Sequence, residues 1–248
     1  SVLLQKTRAE KDRLIAEGKV KRDKPLAEIA EEEKPFGLPM GWEWVRCADY
    51  FVELCTGPFG SVIHQEDYVA NGVPLINPSH MVDGRIAHDP RVTLNQSDAA
   101  RLSAYALSAG DIVLARRGEV GRYALVTERE HGWLCGTGSF FVRLLPECNR
   151  SYLGLIFTDS RFRRHLQGES VGTTMTNLNQ RILLEALIAV PPLAEQSRIV
   201  TRVEELMRLC DALEAKGQLE AAQHAQLVST LLGTLTASTT PEELADHW

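Results

Sequence analysis

The last quarter of the chain carries the clearest pattern of hydrophobic and polar positions. Apolar side chains recur there at alternating spacings of four and three, at Ile199, Val203, Leu206, Cys210 and Leu213. This spacing is the a/d seam of a helix that packs along another helix. Pro191 and Pro192 end the preceding element and fit the first turn of a new helix. We therefore predict that these five seam residues form a helix interface.

The length of this segment limits what it can do. After Gly217 the pattern changes phase, and an apolar face continues through Leu227, Leu231 and Leu235. A helix from Pro192 to Leu235 would be about 66 Å long. Such a helix is too long to belong to one small core, so we interpret it as a spacer or a docking helix.

The N-terminal segment predicts a second, charged helix. Charges of both signs alternate from Leu3 to Glu17, and Gly18 is a typical residue to end the helix. The apolar face of this helix is thin, so we expect it to pack on the long C-terminal helix. A charged linker runs from Lys19 to Lys34, and the turn-rich stretch Phe36 to Gly41 indicates the start of a domain.

The middle of the chain mixes short strands and helices. Apolar runs bounded by turn residues predict strands at Val73–Ile76, Asp111–Ala115, Tyr123–Thr127, Ser139–Leu145 and Leu187–Val190. Helices are predicted at Tyr152–Leu166, capped by Ser151, and at Asn177–Glu185, capped by Thr176 or Asn177. The fold class is therefore α+β. The predicted domains are an N-terminal helix with linker (1–36), a mixed α/β domain (37–190), a long helix (191–236) and a tail (237–248).

Length and cysteine content narrow the class of protein. A chain of 248 residues can form one globular domain plus long helices. Its five cysteines are an odd number without CxxC spacing, which favours reduced thiols over disulfides or a zinc site. No apolar run has membrane-spanning length, and the first residues lack the charged-then-apolar pattern of a secretory signal. We predict a cytoplasmic protein without a membrane segment.

The charge distribution bears on nucleic-acid binding. The net charge of −6 argues against simple nucleic-acid binding. Between Gly41 and Val190, however, every cation is arginine, with 14 Arg, no Lys and 16 acidic residues. The arginine fork suits guanine edges and phosphates. A GC-rich genome would produce the same bias, and that alternative stays open.

Catalytic motifs are missing from the sequence. There is no GxGxxG, no Walker A loop, no HExxH and no GxSxG. The segment Asn77-Pro78-Ser79 lacks the second proline and the aromatic residue of an amino-methyltransferase motif. We therefore predict no catalytic residue, no metal and no cofactor. An unrecognised methyltransferase or nuclease remains an alternative.

Three loops contain the side chains that read base edges or bind phosphate. These candidate DNA-binding residues are Asn77, Ser79 and His80 in a first loop, Arg116, Arg117 and Arg122 in a second, and Thr173, Thr174, Asn177 and Asn179 in a third. Glycines around the arginines allow backbone amides to approach a ligand. Each loop has a structural alternative: a simple turn, a solvated hairpin tip and a helix cap, respectively.

Three segments in order resemble the specificity subunits of type I restriction-modification systems. "LIAVPPLAEQSRIVTRVEELMRLCDALEA" resembles the helical region that follows each target-recognition domain of that family. "QKTRAEKDRLIAEGKVKRDKPL", Gln5 to Leu26, resembles the end of the family's central helical region. "LPMGWEWVRCADY", Leu38 to Tyr50, resembles the start of a recognition domain. The resemblance covers nearly the whole chain.

The resemblance implies a non-catalytic DNA-recognition subunit. Residues 37–190 would be a target-recognition domain that reads one half of a bipartite site in double-stranded DNA. The helices would set the distance to the other half and bind methyltransferase subunits, and through them the restriction subunit. The family's usual subunit has two recognition domains and this chain has one, so we expect a fragment or a half-sized subunit that forms homodimers through its helices. A helical protein-interaction scaffold without DNA readout is the alternative.

Overall fold

The computed structural model describes residues 2–22, 24–58, 62–168 and 178–237. Contacts divide the chain into two compact units, residues 1–197 and the part that starts at Arg198. Seven α-helices are described: α1 Val2–Ala16, α2 Cys47–Tyr50, α3 Gln96–Arg101, α4 Arg150–Thr158, α5 Ser160–Gly168, α6 Gln180–Glu185 and α7 Leu193–Ala237. The strands are β1 Glu43–Arg46, β2 Glu53–Thr56, β3 Tyr68–Val69, β4 Val73–Ile76, β5 Met81–Val82, β6 Arg85–Ile86, β7 Thr93–Leu94, β8 Ile112–Ala115, β9 Tyr123–Leu125, β10 Leu134–Cys135, β11 Ser139–Arg143 and β12 Leu187–Val190.

An antiparallel sheet with the strand order β2-β11-β8-β9 lies at the centre of the first unit. Strand β11 pairs with β8 in the register Phe140 opposite Leu114. Successive side chains of a strand point to opposite faces of its sheet. Accordingly, Leu114 and Phe140 belong to one buried cluster, while Val113 and Phe141 belong to another. The sheet is therefore buried on both faces.

Different elements cover the two faces. Helices α4 and α5 supply Leu153, Phe157 and Phe162 to the first cluster. The second cluster contains Ile76 of β4 and Cys135 of β10, which belong to a second sheet of order β10-β4-β7-β3. In that sheet β10 runs parallel to β4, and the other neighbours are antiparallel.

The predicted strands and the α+β class are confirmed, but three of the four strands in the second sheet were not predicted.

The chain enters and leaves the mixed domain at the same place. Strand β1 pairs antiparallel with β12, with Glu43 opposite Val190. A Cβ atom built on Gly41 would lie 3.7 Å from the Pro192 side chain. Strands β5 and β6 pair only with each other and form a separate short hairpin. Because of the β1–β12 pairing, the start of α7 is anchored beside the start of the domain.

The N-terminal helix ends as the sequence predicts. Gly18 has a positive φ of 71°, and its amide donates to the Ile15 carbonyl at 3.0 Å. This left-handed residue is a typical end of an α-helix. The apolar side chains of α1, including Leu3 and Leu14, pack against the first cluster of the mixed domain. The expected packing of α1 along the long helix stays a prediction.

The prediction of one helix from Tyr152 to Leu166 was wrong, because the chain forms α4 and α5 instead. Between them, the Asp159 carboxylate accepts hydrogen bonds from the amides of Phe162 (2.9 Å) and Arg161 (3.0 Å). An aspartate that caps the next turn competes with continuation of the helix. The predicted cap of this helix, Ser151, was wrong as well. The N-cap of α4 is Asn149, whose side-chain oxygen Oδ1 accepts a hydrogen bond from the Tyr152 amide at 3.0 Å.

The predicted cap of the last short helix was two or three residues too early. Helix α6 begins at Gln180, and its N-cap is Asn179. The expected caps Thr176 and Asn177 lie outside the described residues.

Helix α7 has 45 residues, which corresponds to about 68 Å. The long C-terminal helix is therefore confirmed.

A half-buried ion cluster makes a testable contribution to stability. Arg143 of β11 binds Asp111 at 2.9 Å and Glu53 at 2.7 Å, and Asp111 is only 2% exposed. Arg143→Met would leave two carboxylates without their cation, so we expect the free energy of unfolding to fall by about 3–5 kcal/mol. Urea denaturation measures this change. Arg101→Met, which removes an exposed pair with Asp98, should leave the midpoint nearly unchanged. Equal effects of the two substitutions would contradict this account.

Candidate nucleic-acid interface

Two of the three predicted loops meet at Gly138, the residue directly before β11. We call residues 77–80 the first loop, residues 116–122 the arginine loop and residues 173–179 the third loop. A Cβ atom built on Gly138 would lie 3.6 Å from Pro78 Cγ and 3.6 Å from Arg117 Cδ. The Arg116 amide donates to the Gly138 carbonyl at 2.9 Å. The first loop and the arginine loop therefore flank the same glycine.

The described end of the third loop joins the arginine loop through Leu178. The Leu178 amide donates to the Arg116 carbonyl at 2.9 Å, and Arg116 Nε donates back to the Leu178 carbonyl at 3.3 Å. Asn179 uses its side-chain oxygen to accept from the Ile182 amide at 3.0 Å. The other predicted residues of this loop, Thr173, Thr174 and Asn177, lie outside the described residues. The structure therefore brings the described parts of all three loops together.

The three arginines of the arginine loop have different surroundings. Arg117 is exposed, and no ion pair holds it within the described parts of the chain. Arg122 donates through Nε to Glu119 at 3.1 Å, and Glu119 also pairs with Arg163 at 3.4 Å. The hydrogen bond from Arg122 is the main reason that the pKa of the Glu119 carboxyl is lowered. The charge of Arg122 is therefore largely balanced, whereas that of Arg117 is available.

Arg116 is half-buried and has no carboxylate beside it among the described residues. Its guanidinium lies over the Phe140 ring, 5.6 Å from the ring centroid. Burial lowers the pKa of this guanidinium, and the neighbouring charge of Arg117 lowers it further. An arginine keeps its proton in proteins even so. The result is a fixed positive charge that is partly removed from water.

The first loop presents only some of its predicted side chains. Ser79 is exposed, but His80 is only 6% exposed. His80 Nδ1 accepts from the Asn77 amide at 3.2 Å, and burial lowers the pKa of the imidazole. The ring is therefore neutral at pH 7 and is placed to hold the loop rather than to meet a ligand. The Asn77 side chain points inward, and its buried Oδ1 has no hydrogen-bond partner among the described residues.

Sequence reasoning missed residues that shape this site. Gly136 and Gly138 make room for the first loop, and Phe140 and Leu178 orient Arg116. The run "CGTGSF" from Cys135 to Phe140 could have identified the glycines, because two glycines before a strand often allow a close approach of backbone. No sequence pattern connects Arg116 with Leu178, which are 62 residues apart.

A separate cavity of about 730 Å³ lies elsewhere in the first unit. It is bordered by the linker, the β1–β12 pair and helices α4 to α6, and its lining includes Phe36, Trp44 and Phe162. None of the predicted DNA-binding residues that the structure describes lines it. The side chains around the cavity that carry charge include Glu33 and Arg46, which pair with each other at 2.9 Å. The cavity and the described parts of the three loops are therefore different features of the surface.

The described residues form neither a metal site nor a membrane-spanning helix. No group of three or more His, Cys, Asp or Glu side chains in that part of the chain could hold a metal ion. None of the helices described combines the length and the apolar character needed to cross a membrane. All five cysteines are free thiols.

Comparison with known proteins identifies the family. The model of the family described as the type I restriction modification DNA specificity domain matches residues 41–223. The EcoAI type I restriction enzyme specificity subunit of Escherichia coli is 34% identical over the whole of this chain, which covers 42% of that protein. The EcoEI specificity subunit of Escherichia coli is 33% identical over the whole of this chain and 41% of its own length. The chain thus spans less than half the length of these relatives.

Solved structures agree with this fold. One chain from a structure of a type I R-M system superposes with a TM-score of 0.60 at 20% identity, covering 93% of this chain and 52% of that chain. The HsdS subunit from Thermoanaerobacter tengcongensis gives a TM-score of 0.53 at 20% identity, covering 85% of this chain and 45% of that one. At such identities the likeness concerns the fold alone. The family model, which matches more than half of the chain, shows that this chain belongs to the type I restriction-modification DNA specificity domain family, as its sequence segments predicted.

The close packing of the first loop predicts a sensitive glycine. A Cβ atom on Gly136 would lie 2.2 Å from Asn77 Oδ1 and 2.7 Å from the Ile76 carbonyl oxygen. Because the carbonyl belongs to paired backbone, Gly136→Ala must displace the loop, and we expect a loss of about 1–3 kcal/mol in unfolding free energy. Gly37→Ala is the control, since nothing lies within 4 Å of its Cβ position. Thermal and urea unfolding of both variants measure the difference, and a neutral Gly136→Ala would refute the close packing.

Proposed function

We propose that this chain is a DNA-recognition subunit that reads duplex DNA through the surface formed by the first loop, the arginine loop and the third loop. The observation that supports this most strongly is the meeting of the loops at Gly138 and Leu178, next to two guanidinium groups without carboxylate partners in the described structure. Family membership supports it independently, because the family's domain is described as a DNA specificity domain. The residues proposed for contact are Ser79, Arg116 and Arg117, and, on sequence grounds, Thr173, Thr174 and Asn177. For Asn77, His80, Arg122 and Asn179, we propose that they hold the loops in shape.

The net charge of −6 does not oppose this proposal. A recognition domain needs only one basic face, and the acidic residues of this domain neutralise many of its arginines elsewhere. Arg46, Arg91 and Arg143 each pair with at least one carboxylate outside the three loops. Arg117 is not neutralised in this way in the described residues. The cationic surface is therefore local, and its phosphate contacts would make binding sensitive to salt.

The proposal includes a partner for α7. Leu206 and Leu213 of the predicted seam are 46% and 69% exposed, and Cys210 is exposed. An apolar seam at heptad spacing is typical of a helix that packs along another helix. We propose that it binds methyltransferase subunits or the helix of a second copy of the chain, with the restriction subunit joining through the methyltransferase.

A chain with one recognition domain would read one half of a bipartite target. Half-sites on one face of DNA are separated by about 34 Å per helical turn. Helix α7, at about 68 Å, is long enough to hold two such readers apart. On this proposal the chain is non-catalytic and acts in the cytoplasm beside its methylating and cleaving partners. A helical scaffold without DNA readout is the competing function, and the exposed seam supports it equally well.

The first prediction for this function concerns Arg117. Arg117→Gln should weaken binding to a duplex of mixed sequence and reduce the slope of log K against log salt by about 1, because one phosphate contact is lost. Fluorescence anisotropy at several salt concentrations gives both quantities. The matched control is Arg101→Gln, an exposed arginine on α3 that is outside the three loops and pairs with Asp98. Identical affinity and slope for the two variants would favour the scaffold.

A second prediction concerns the seam on α7. Leu213→Asp places a charge in the proposed helix interface and should abolish the complex with the methyltransferase subunit or the self-association of the chain. Ala215→Asp adds the same charge about 160° away from Leu213, on the opposite side of the helix, and should preserve the complex. Light scattering with and without the methyltransferase subunit reports the molar mass. A complex that survives Leu213→Asp would show that the seam is not the interface.

A further inference from the structure

We infer that Arg116 reads a guanine: its two terminal nitrogens, Nη1 and Nη2, donate end-on to O6 and N7 of one guanine in the major groove. This inference rests on the proposed function and assigns separate tasks to neighbouring residues of the arginine loop. Arg116 supplies base discrimination, and Arg117 supplies a phosphate contact. Phe140 and Leu178 are the positioning residues of Arg116.

Two contacts fix the orientation of the Arg116 side chain. Nε donates to the Leu178 carbonyl at 3.3 Å, and the guanidinium lies over the Phe140 ring at 5.6 Å. Phe140 is fully buried in the main core, and the Leu178 amide is itself bonded to the Arg116 carbonyl at 2.9 Å. Both contacts therefore come from ordered parts of the fold. They engage the planar face of the guanidinium and its Nε, and no other described residue occupies the terminal nitrogens.

Arg116 differs in charge balance from the other partly buried arginines of the described domain. Arg46, Arg122, Arg143 and Arg163 each pair with a carboxylate, and Arg150 donates to four backbone carbonyls: Gly110, Leu145, Pro146 and Cys148. Arg116 has one carbonyl and an aromatic ring. Holding a guanidinium partly out of water with so little compensation costs stability, and proteins accept such costs mainly at functional sites. A ligand with two adjacent acceptors would complete the site.

Guanine is the ligand edge that fits this geometry best. Its O6 and N7 are two neighbouring acceptors in the major groove, and arginine donates to both at once. A phosphate can also accept two parallel hydrogen bonds. The fixed orientation of the Arg116 guanidinium favours a base over a phosphate. Discrimination between bases requires donors that keep their direction when a base without two matching acceptors is presented. The exposed Arg117 beside it has the freedom that suits a phosphate.

The test is a selection of bound sequences from a duplex pool with a randomised segment, made with the full chain and its methyltransferase subunit. Wild type, Arg116→Gln and Arg117→Gln are compared, which gives the same substitution at adjacent residues. We expect wild type and Arg117→Gln to select the same sequence, and Arg116→Gln to lose the preference for guanine at one position by roughly 5- to 150-fold. Unchanged guanine preference in a folded Arg116→Gln variant would overturn the inference.

A second measurement keeps the test valid if Arg116→Gln disturbs the third loop. The guanine at the affected position is replaced by 7-deazaguanine, which lacks the N7 acceptor. Binding of this duplex and of the normal duplex is then measured for wild type and for Arg116→Gln. Wild type should bind this duplex more weakly than the normal one, while Arg116→Gln should not distinguish them. If wild type is indifferent to 7-deazaguanine, or if Arg116→Gln reduces the salt slope and leaves base preference intact, Arg116 contacts a phosphate instead. If wild type itself selects no sequence, the proposed function fails and the assignment of Arg116 fails with it.

Discussion

The antiparallel pairing of β8 with β11 is the constraint on which the mixed domain depends. Residues of these strands alternate between two buried clusters, so one pair of strands holds the helices on one face and the second sheet on the other. The same pairing places the ends of both strands side by side. Arg116 follows the last residue of β8, and Gly138 precedes the first residue of β11. The proposed reading surface is therefore built at the ends of two paired strands whose side chains are buried on both faces of the sheet.

Positioning and charge work against each other at this surface. Contacts that orient a guanidinium also remove water from it, and Arg116 shows this in its lowered pKa. Elsewhere the domain solves the problem with carboxylates, as in the Arg143 cluster with Asp111 and Glu53. A carboxylate beside Arg116 would stabilise the free protein but compete with an anionic or acceptor-rich ligand. The absence of such a partner in the described residues is what connects the local physics with a function in DNA binding.

The sequence could predict elements that have a clear period or turn chemistry. Elements of this kind are the long helix α7, the strands β4, β8 and β12, and the end of α1 at Gly18. It could not predict β3, β7 and β10, because a two-residue strand has no detectable alternation. The break at Asp159 depends on a carboxylate that caps the following turn, and such a residue is also common on helix surfaces. His80 and Ser79 look equally suitable in sequence, and only the fold buries one and exposes the other. The meeting of the loops is a tertiary property that no local pattern contains.

Amide hydrogen exchange of the full chain, with and without duplex DNA, tests the central claim most directly. If the three loops form one reading surface, DNA should slow exchange together in residues 77–80, 116–122 and the segment that ends at Leu178, while the exposed part of α7 stays unchanged. Protection confined to α7, or in one loop without the others, would contradict the account.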